Sequence, residues 1–273
     1  MQPSSLKDAH PGSLQDRVAI VTGGASGIGQ ATCLALAQAG ARVVVVDRDA
    51  TRVEATLTEL NTRSPTIDTA SPLGLVLDVS QEADMQHMAA QTLERFGCID
   101  ILVACAGILR SDGRNLKTFA QLSTPEWEQI LNVNLRGVLL SNRAVLPTLL
   151  QQRRGDILNV SSVSGRQGRA YDAPYCASKF GVIGFSESLA AEVQSQGIRV
   201  QTVLPDAVNT PFWNQNGPVP MPTYALPPER IADLIVFMLA LPPDTQLLAP
   251  VIAPLQVRQR RSSGKPPKTD AAI

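Results

Sequence analysis

The feature that most constrains this chain is an alternation of short apolar runs with longer segments of helical periodicity. The runs are RVAIVT (17–22), RVVVVD (42–47), LGLVLDV (73–79), DILVACAG (100–107), DILNVSS (156–162), GIRVQTVLP (197–205) and LLAPVIA (247–253). Between them lie GQATCLALAQAG (29–40), ATRVEATLTELN (50–61), EADMQHMAAQTLERFG (82–97) and two long helical stretches near 124–153 and 173–195. A strand that is apolar on both faces needs a cover of helices on each side. The pattern therefore predicts a single Rossmann-like, doubly wound α/β domain over 16–255. Its parallel seven-stranded sheet has the order 3-2-1-4-5-6-7, with helices on both faces. Pro250 suits the last strand only at an edge, because proline has no N–H for a ladder. Residues 1–15 read as a loose leader, and the basic, proline-containing 256–273 as a disordered tail.

Composition narrows the function. The 273 residues carry 24 Lys plus Arg against 24 Asp plus Glu, a balance that offers no field for nucleic acid. No run of eighteen apolar residues argues for a membrane span, and the N-terminus has no secretory apolar core. Cys33, Cys98, Cys105 and Cys176 are scattered without a CxxC pair and read as reduced thiols of a cytoplasmic protein. No metal site is expected. His10 and His87 lie in polar surroundings, so a histidine-based triad is not expected either.

The first run leads through TGGASGIG (22–29) directly into a helix. Glycines there allow a tight turn and let backbone N–H groups meet a pyrophosphate at the positive end of the helix. The second run ends in Asp47, about twenty residues further on, where a carboxylate accepts from ribose hydroxyls. It would also repel a 2′-phosphate, since two like charges at ~4 Å and an effective dielectric of ~20 cost about 4 kcal/mol. NAD is the favoured cofactor, with NADP possible through the neighbouring Arg48.

A second cluster lies in NVSSVSGRQGRAYDAPYCASKF (159–180). Tyr175 and Lys179, four residues apart, share a helical face. A phenol titrates near 10, and lowering it by roughly three units takes about 4 kcal/mol, the size of one nearby ammonium in a partly dry cleft. Tyr171 has Tyr175 rather than a cation at its own i+4 and is the poorer candidate.

With these motifs the chain resembles the short-chain dehydrogenase/reductase family over residues 16 to about 254. The carriers are TGGASGIG, DV (78–79), AG (106–107), NVN (132–134), SS (161–162) and YCASK (175–179). The resemblance implies hydride exchange between a nicotinamide cofactor and a secondary alcohol or its ketone. Tyr175 would act as general acid or base, Lys179 would lower its pKa and hold the nicotinamide ribose, and Ser162 would orient the substrate. Ser161 and Ser164 are the structural alternatives. Asn134 would stabilise a kinked helix and hold a water linked to the lysine, with Asn132 solvated. The implied cofactor contacts are Gly23, Ser26, Gly27, Ile28, Gly29, Asp47, Arg48, Asp78, Val79, Ala106, Gly107, Tyr175, Lys179, Pro205, Val208 and Thr210. Substrate contacts would be Ser162, Tyr175, Asp206, Phe212 and Trp213, and the family commonly pairs through its two long helices into dimers or tetramers. On the second of these, Ala177, Gly181 and Gly184 would suit either a partner helix or the chain's own packing.

Three positions, at two places in the chain, depart from the family pattern. Ala104 and Cys105 stand where many members carry asparagines, and Asp206 follows Pro205 where glycine is usual. Asp206 would select a cationic or polyhydroxylated substrate or simply turn outward. The proline-rich stretch 206–226, with Phe212, Trp213, Met221 and Tyr224, reads as a lid, or as a loop whose aromatics anchor it. An NADPH-dependent carbonyl or 3-oxoacyl-carrier-protein reductase is the alternative enzyme. A non-catalytic, nucleotide-sensing protein on the same fold is the alternative class.

Overall fold

The computed structural model describes residues 14–63, 71–111 and 116–255; the expected leader and tail fall largely or wholly outside them. Seven strands form one parallel sheet in the order β3-β2-β1-β4-β5-β6-β7, the order expected above for this doubly wound sheet. They are β1 Val18–Thr22, β2 Arg42–Asp47, β3 Leu73–Val76, β4 Ile101–Ala104, β5 Gly155–Val160, β6 Ile198–Pro205 and β7 Val251–Ile252. The helices are α1 Gly27–Gln38, α2 Ala50–Arg63, α3 Glu82–Phe96, α4 Thr124–Leu131, α5 Gly137–Gln152, α6 Ala173–Val193 and α7 Pro228–Ala240.

The period of two along each strand divides the core into two layers. Ala19, Val21, Val43, Val45, Ile101, Val103 and Leu158 point toward α1, α2 and α7. Their neighbours Val18, Ile20, Val44, Val46, Leu102 and Ile157 point toward α3, α5 and α6. Burying each such aliphatic side chain is worth about 1.5–3 kcal/mol, which is why the central strands tolerate no polar face. At the strands' N-terminal ends, Asp156 joins Arg17 and Arg199, each at 2.6 Å, and ties β1, β5 and β6 together. The opposite, C-terminal ends are left to form a cleft.

Three expectations change. The third run is expected as a strand to 79, but β3 stops at Val76: at this sheet edge Asp78 turns the chain, accepting from the Ser80 amide at 2.8 Å. The helical stretch 124–153 is one continuous path broken by a π turn at Asn132–Arg136, which inserts an extra residue between α4 and α5. α7 is absent from the sequence-based expectation. Its Ile231, Ile235, Met238 and Leu239 bury one helical face beside α1, behind the start signal of Pro227 and Pro228. Pro250 does sit at the sheet edge, where only its carbonyl is used, accepting from Leu204 N–H at 2.9 Å.

Candidate active site

The C-terminal ends of the strands surround a cleft of about 940 Å³. Every predicted site residue except Asn134 lines it.

At one end the turn after β1 is shaped for close approach. Gly23 and Gly27 have φ of 66° and 53°, in the left-handed region that favours glycine. A Cβ on Gly29 would lie 2.0 Å from the Gly23 carbonyl oxygen, and one on Gly23 would lie 2.7 Å from the Ala106 Cα. Ser26 is the N-cap of α1, yet its hydroxyl makes no capping bond and lines the cleft. An uncapped helix start lined by glycines fits a pyrophosphate. Gly27 packs against Thr210, so the segment after β6 borders this turn.

Asp47 is partly committed to the loop. Its carboxylate accepts from the Ala25 amide at 3.3 Å and from the Asp49 amide at 3.2 Å, clamping the glycine turn to the end of β2. It still lines the cleft, with the exposed Arg48 beside it. Asp78 and Val79 close this end, Asp78 held by a bond from its amide to Asp84 at 2.8 Å.

In the middle, Lys179 is buried on α6 and donates to the Val160 carbonyl at 2.9 Å. Its ammonium lies 5.7 Å from the Tyr175 ring centroid. Burial pulls the Lys179 pKa down to about 8. Burial also pushes the Tyr175 phenol up to about 12, while a hydrogen bond with Ser162 acts in the opposite sense. The expected lowering of the tyrosine is not reached: two groups desolvated together each favour their neutral forms, and Ser162, with Arg169 behind it, favours the phenolate. The three serines divide their work. Ser161 donates to the Lys179 carbonyl at 2.9 Å, and Ser164 contributes its amide to the Ser162 hydroxyl at 3.1 Å. Only Ser162 engages the tyrosine. Tyr171 precedes α6, is exposed and has φ of 67°.

Asn134 sits at the break in the long helix, as a residue stabilising a kink would. The π turn points it inward, fully buried, where it accepts from Ile108 N–H and donates to Ile108 C=O, both at 2.8 Å. Its amide also donates to Ser178 at 3.2 Å, and Ser178 donates to the Tyr175 carbonyl at 2.7 Å. Asn134 therefore pins the loop after β4 to the turn that carries Tyr175, and Asn132 is the solvated one. At Ala104 and Cys105 the strand end is held to β1 by backbone, the Cys105 amide donating to the Thr22 carbonyl at 3.2 Å. The Cys105 thiol, pushed up to about 12 by burial, stays protonated.

At the far end, Phe212 meets Tyr175 with ring centroids 5.8 Å apart, and Trp213 donates to the Val208 carbonyl at 2.8 Å. Both readings of the aromatics hold in part: Trp213 anchors the loop, Phe212 covers the tyrosine, and Met221 and Tyr224 are exposed. A bridge between Val208 and Leu226 staples the two ends of this loop. Asp206 does not turn outward; it pairs with Arg169 at 2.9 Å across the cleft. Arg110, Arg169, Asp172 and Asn216 also line this end and were not legible as site residues, since they are scattered over three segments with no motif between them.

Residues 17–219 match the model of the short chain dehydrogenase family. The chain belongs to that family. A hydroxy(phenyl)methylsuccinyl-CoA dehydrogenase subunit of Thauera aromatica is 38% identical over 202 residues, covering 74% of this chain and 77% of the relative. Among solved structures, the 3-ketoacyl-(acyl-carrier-protein) reductase of Brucella melitensis complexed with NADH superposes with a TM-score of 0.77 at 30% identity, covering 88% of this short-chain dehydrogenase and 98% of that chain. An actinorhodin polyketide ketoreductase variant with NADPH superposes with a TM-score of 0.77 at 28% identity, covering 88% and 96%.

Proposed function

We propose that this protein interconverts a secondary alcohol and its ketone, with NAD(H) as the nicotinamide cofactor. The observation that carries the reading is the convergence of Ser162, Tyr175 and Lys179 on the cleft that also holds the glycine turn. When bound, the cofactor supplies or accepts the hydride. The glycine turn and Ser26 would hold its pyrophosphate, Asp47 its adenosine ribose, and Lys179 the ribose nearer the tyrosine. Thr210, Pro205 and Val208 would border the nicotinamide.

The chain's own contribution is proton handling and orientation. A phenol with a pKa of about 12 is protonated throughout the neutral range, so Tyr175 is poised as the donor to a carbonyl oxygen. The Ser162 hydroxyl orients that oxygen and steadies charge developing on it. In alcohol oxidation the step runs in reverse: Tyr175 first gives up its proton to solvent, and the phenolate, favoured by Ser162, then takes the proton of the alcohol. Phe212 and Trp213 shield this proton path from water. Assembly through α5 and α6 belongs to the same proposal: Leu139, Leu150 and Phe180 are exposed there, as is Ala177. Gly181, by contrast, gives room to Leu135 of its own chain.

Arg48, next to Asp47 in the cleft, favours a second reading with NADPH and carbonyl reduction. Titration with NADH and NADPH, read by dihydronicotinamide fluorescence, separates the two. Tighter NADH binding is expected, and tighter NADPH binding would transfer the selector role to Arg48. Binding of neither would remove the enzymatic reading.

A further inference from the structure

The substrate end of the cleft contains a side chain that the proposed chemistry does not use. Arg110 lies three residues beyond Gly107, with a side chain only 10% exposed. Its guanidinium reaches two segments at once. It donates to the Tyr171 carbonyl at 2.9 Å, donates to the Asn216 side-chain oxygen at 3.0 Å and pairs with the Asp172 carboxylate at 2.8 Å. The adjacent Leu109 amide donates to Gln215 at 2.9 Å. One short stretch after β4 thus grips both the lid and the entrance to α6.

Two details set this apart from a generic ion pair. Asp172 is the N-cap of α6, a place where aspartate ordinarily accepts from the first-turn amides; here its side chain makes no capping bond and faces Arg110 instead. Tyr171, a bulky residue held at φ of 67°, has its carbonyl fixed by the same guanidinium. Strained backbone persists where surrounding contacts over-determine it. Both residues directly precede the turn that carries Tyr175. Phe212, on the lid, closes the circuit through its ring contact with Tyr175.

We propose that Arg110 is a positioning residue, which locks the lid to the N-terminal end of α6 so that seating of the lid sets the orientation of the Tyr175 hydroxyl. The inference rests on the reading of Tyr175 as the proton donor. Loss of Arg110, or of its lid partner Asn216, would loosen both elements together.

The test uses the full chain in a Trp127→Phe background, which leaves Trp213 as its single tryptophan. Arg110→Gln, Arg110→Lys and Asn216→Ala are compared by acrylamide quenching of Trp213, amide exchange at Tyr175 and Cys176, NADH affinity, and turnover of ethyl acetoacetate as a probe ketone. In Arg110→Gln and Asn216→Ala, quenching and exchange are expected to rise together. Turnover should fall roughly 10- to 100-fold, the effect of a misplacement of about 1 Å. NADH affinity should stay within about twofold, because the grip is remote from the glycine turn. Arg110→Lys, a point charge without the planar fork, should fall between wild type and Arg110→Gln. Asn216→Ala is the milder change and keeps the test open where Arg110→Gln does not fold. A rise in Trp213 quenching with unchanged exchange at Tyr175 and Cys176 would overturn the coupling, as would unchanged behaviour of Arg110→Gln. Failure of the wild type to reduce ethyl acetoacetate would count against the Tyr175 reading, while quenching and exchange would still decide Arg110.

Discussion

Lys179→Met should make the protein more stable while abolishing its chemistry. The Lys179 side chain is buried at 4% relative exposure, and among the described residues its hydrogen bond runs to the Val160 carbonyl. Burial lowers its pKa from 10.5 to about 8. At about 1.4 kcal/mol per unit, the charged form therefore costs the folded state about 3 kcal/mol. Methionine fills a similar volume without charge, but gives up the bond to Val160, a loss of about 1 kcal/mol. The net gain near pH 7 is about 2 kcal/mol, or a rise in Tm of about 4–8 °C for a domain of this size. The pH dependence follows from the direction of the shift. Below about 8 the lysine is protonated in both states and the penalty is constant. Between about 8 and 10.5 the unfolded chain keeps its proton while the folded one releases it, so the wild type gains stability with rising pH. The gap between variant and wild type should thus shrink by about 1.4 kcal/mol per pH unit above 8. Tyr175 and the buried thiols Cys33 and Cys105, all raised by burial, act in the opposite sense at higher pH, but they are common to both proteins and cancel in the gap. Urea unfolding of both proteins without cofactor, from pH 6 to 9.5, measures the gap. A gap that does not change with pH, or a variant less stable than wild type at pH 7, would refute the argument.

Three further outcomes are expected. Tyr175→Phe should lower turnover by about 10²- to 10⁴-fold while leaving NADH affinity nearly intact, and retention of full rate would remove the phenol from the mechanism. Gly29→Ala places a methyl 2.0 Å from the Gly23 carbonyl oxygen, so fluorescence titration should show NADH affinity reduced by about 10-fold or more. Asn134→Ala removes buried bonds to Ile108 and Ser178, and denaturant unfolding should register a loss of about 2–4 kcal/mol.

The strand centres and the cofactor end of the cleft were readable from the chain because each depends on local pattern, and the sheet order was expected only through the doubly wound class they imply. Two-sided apolar runs such as VAIVT admit only a covered parallel strand, TGGASGIG demands its own turn, and Tyr175 and Lys179 share a face by helical spacing alone. α7 escaped because prolines on both sides obscured an ordinary amphipathic face, and the π turn escaped because a one-residue insertion leaves no mark in periodicity. What only the tertiary structure decided is the environment of each group. Burial depends on everything packed around a side chain, so the sequence could place Lys179 beside Tyr175 but not show how far both are desolvated. In the same way Asp206 meets Arg169, and Arg110 meets Asp172 and Asn216, only because loops after three different strands converge at one end of the sheet. Their separations along the chain carry no signal, because the forces that join them act through space.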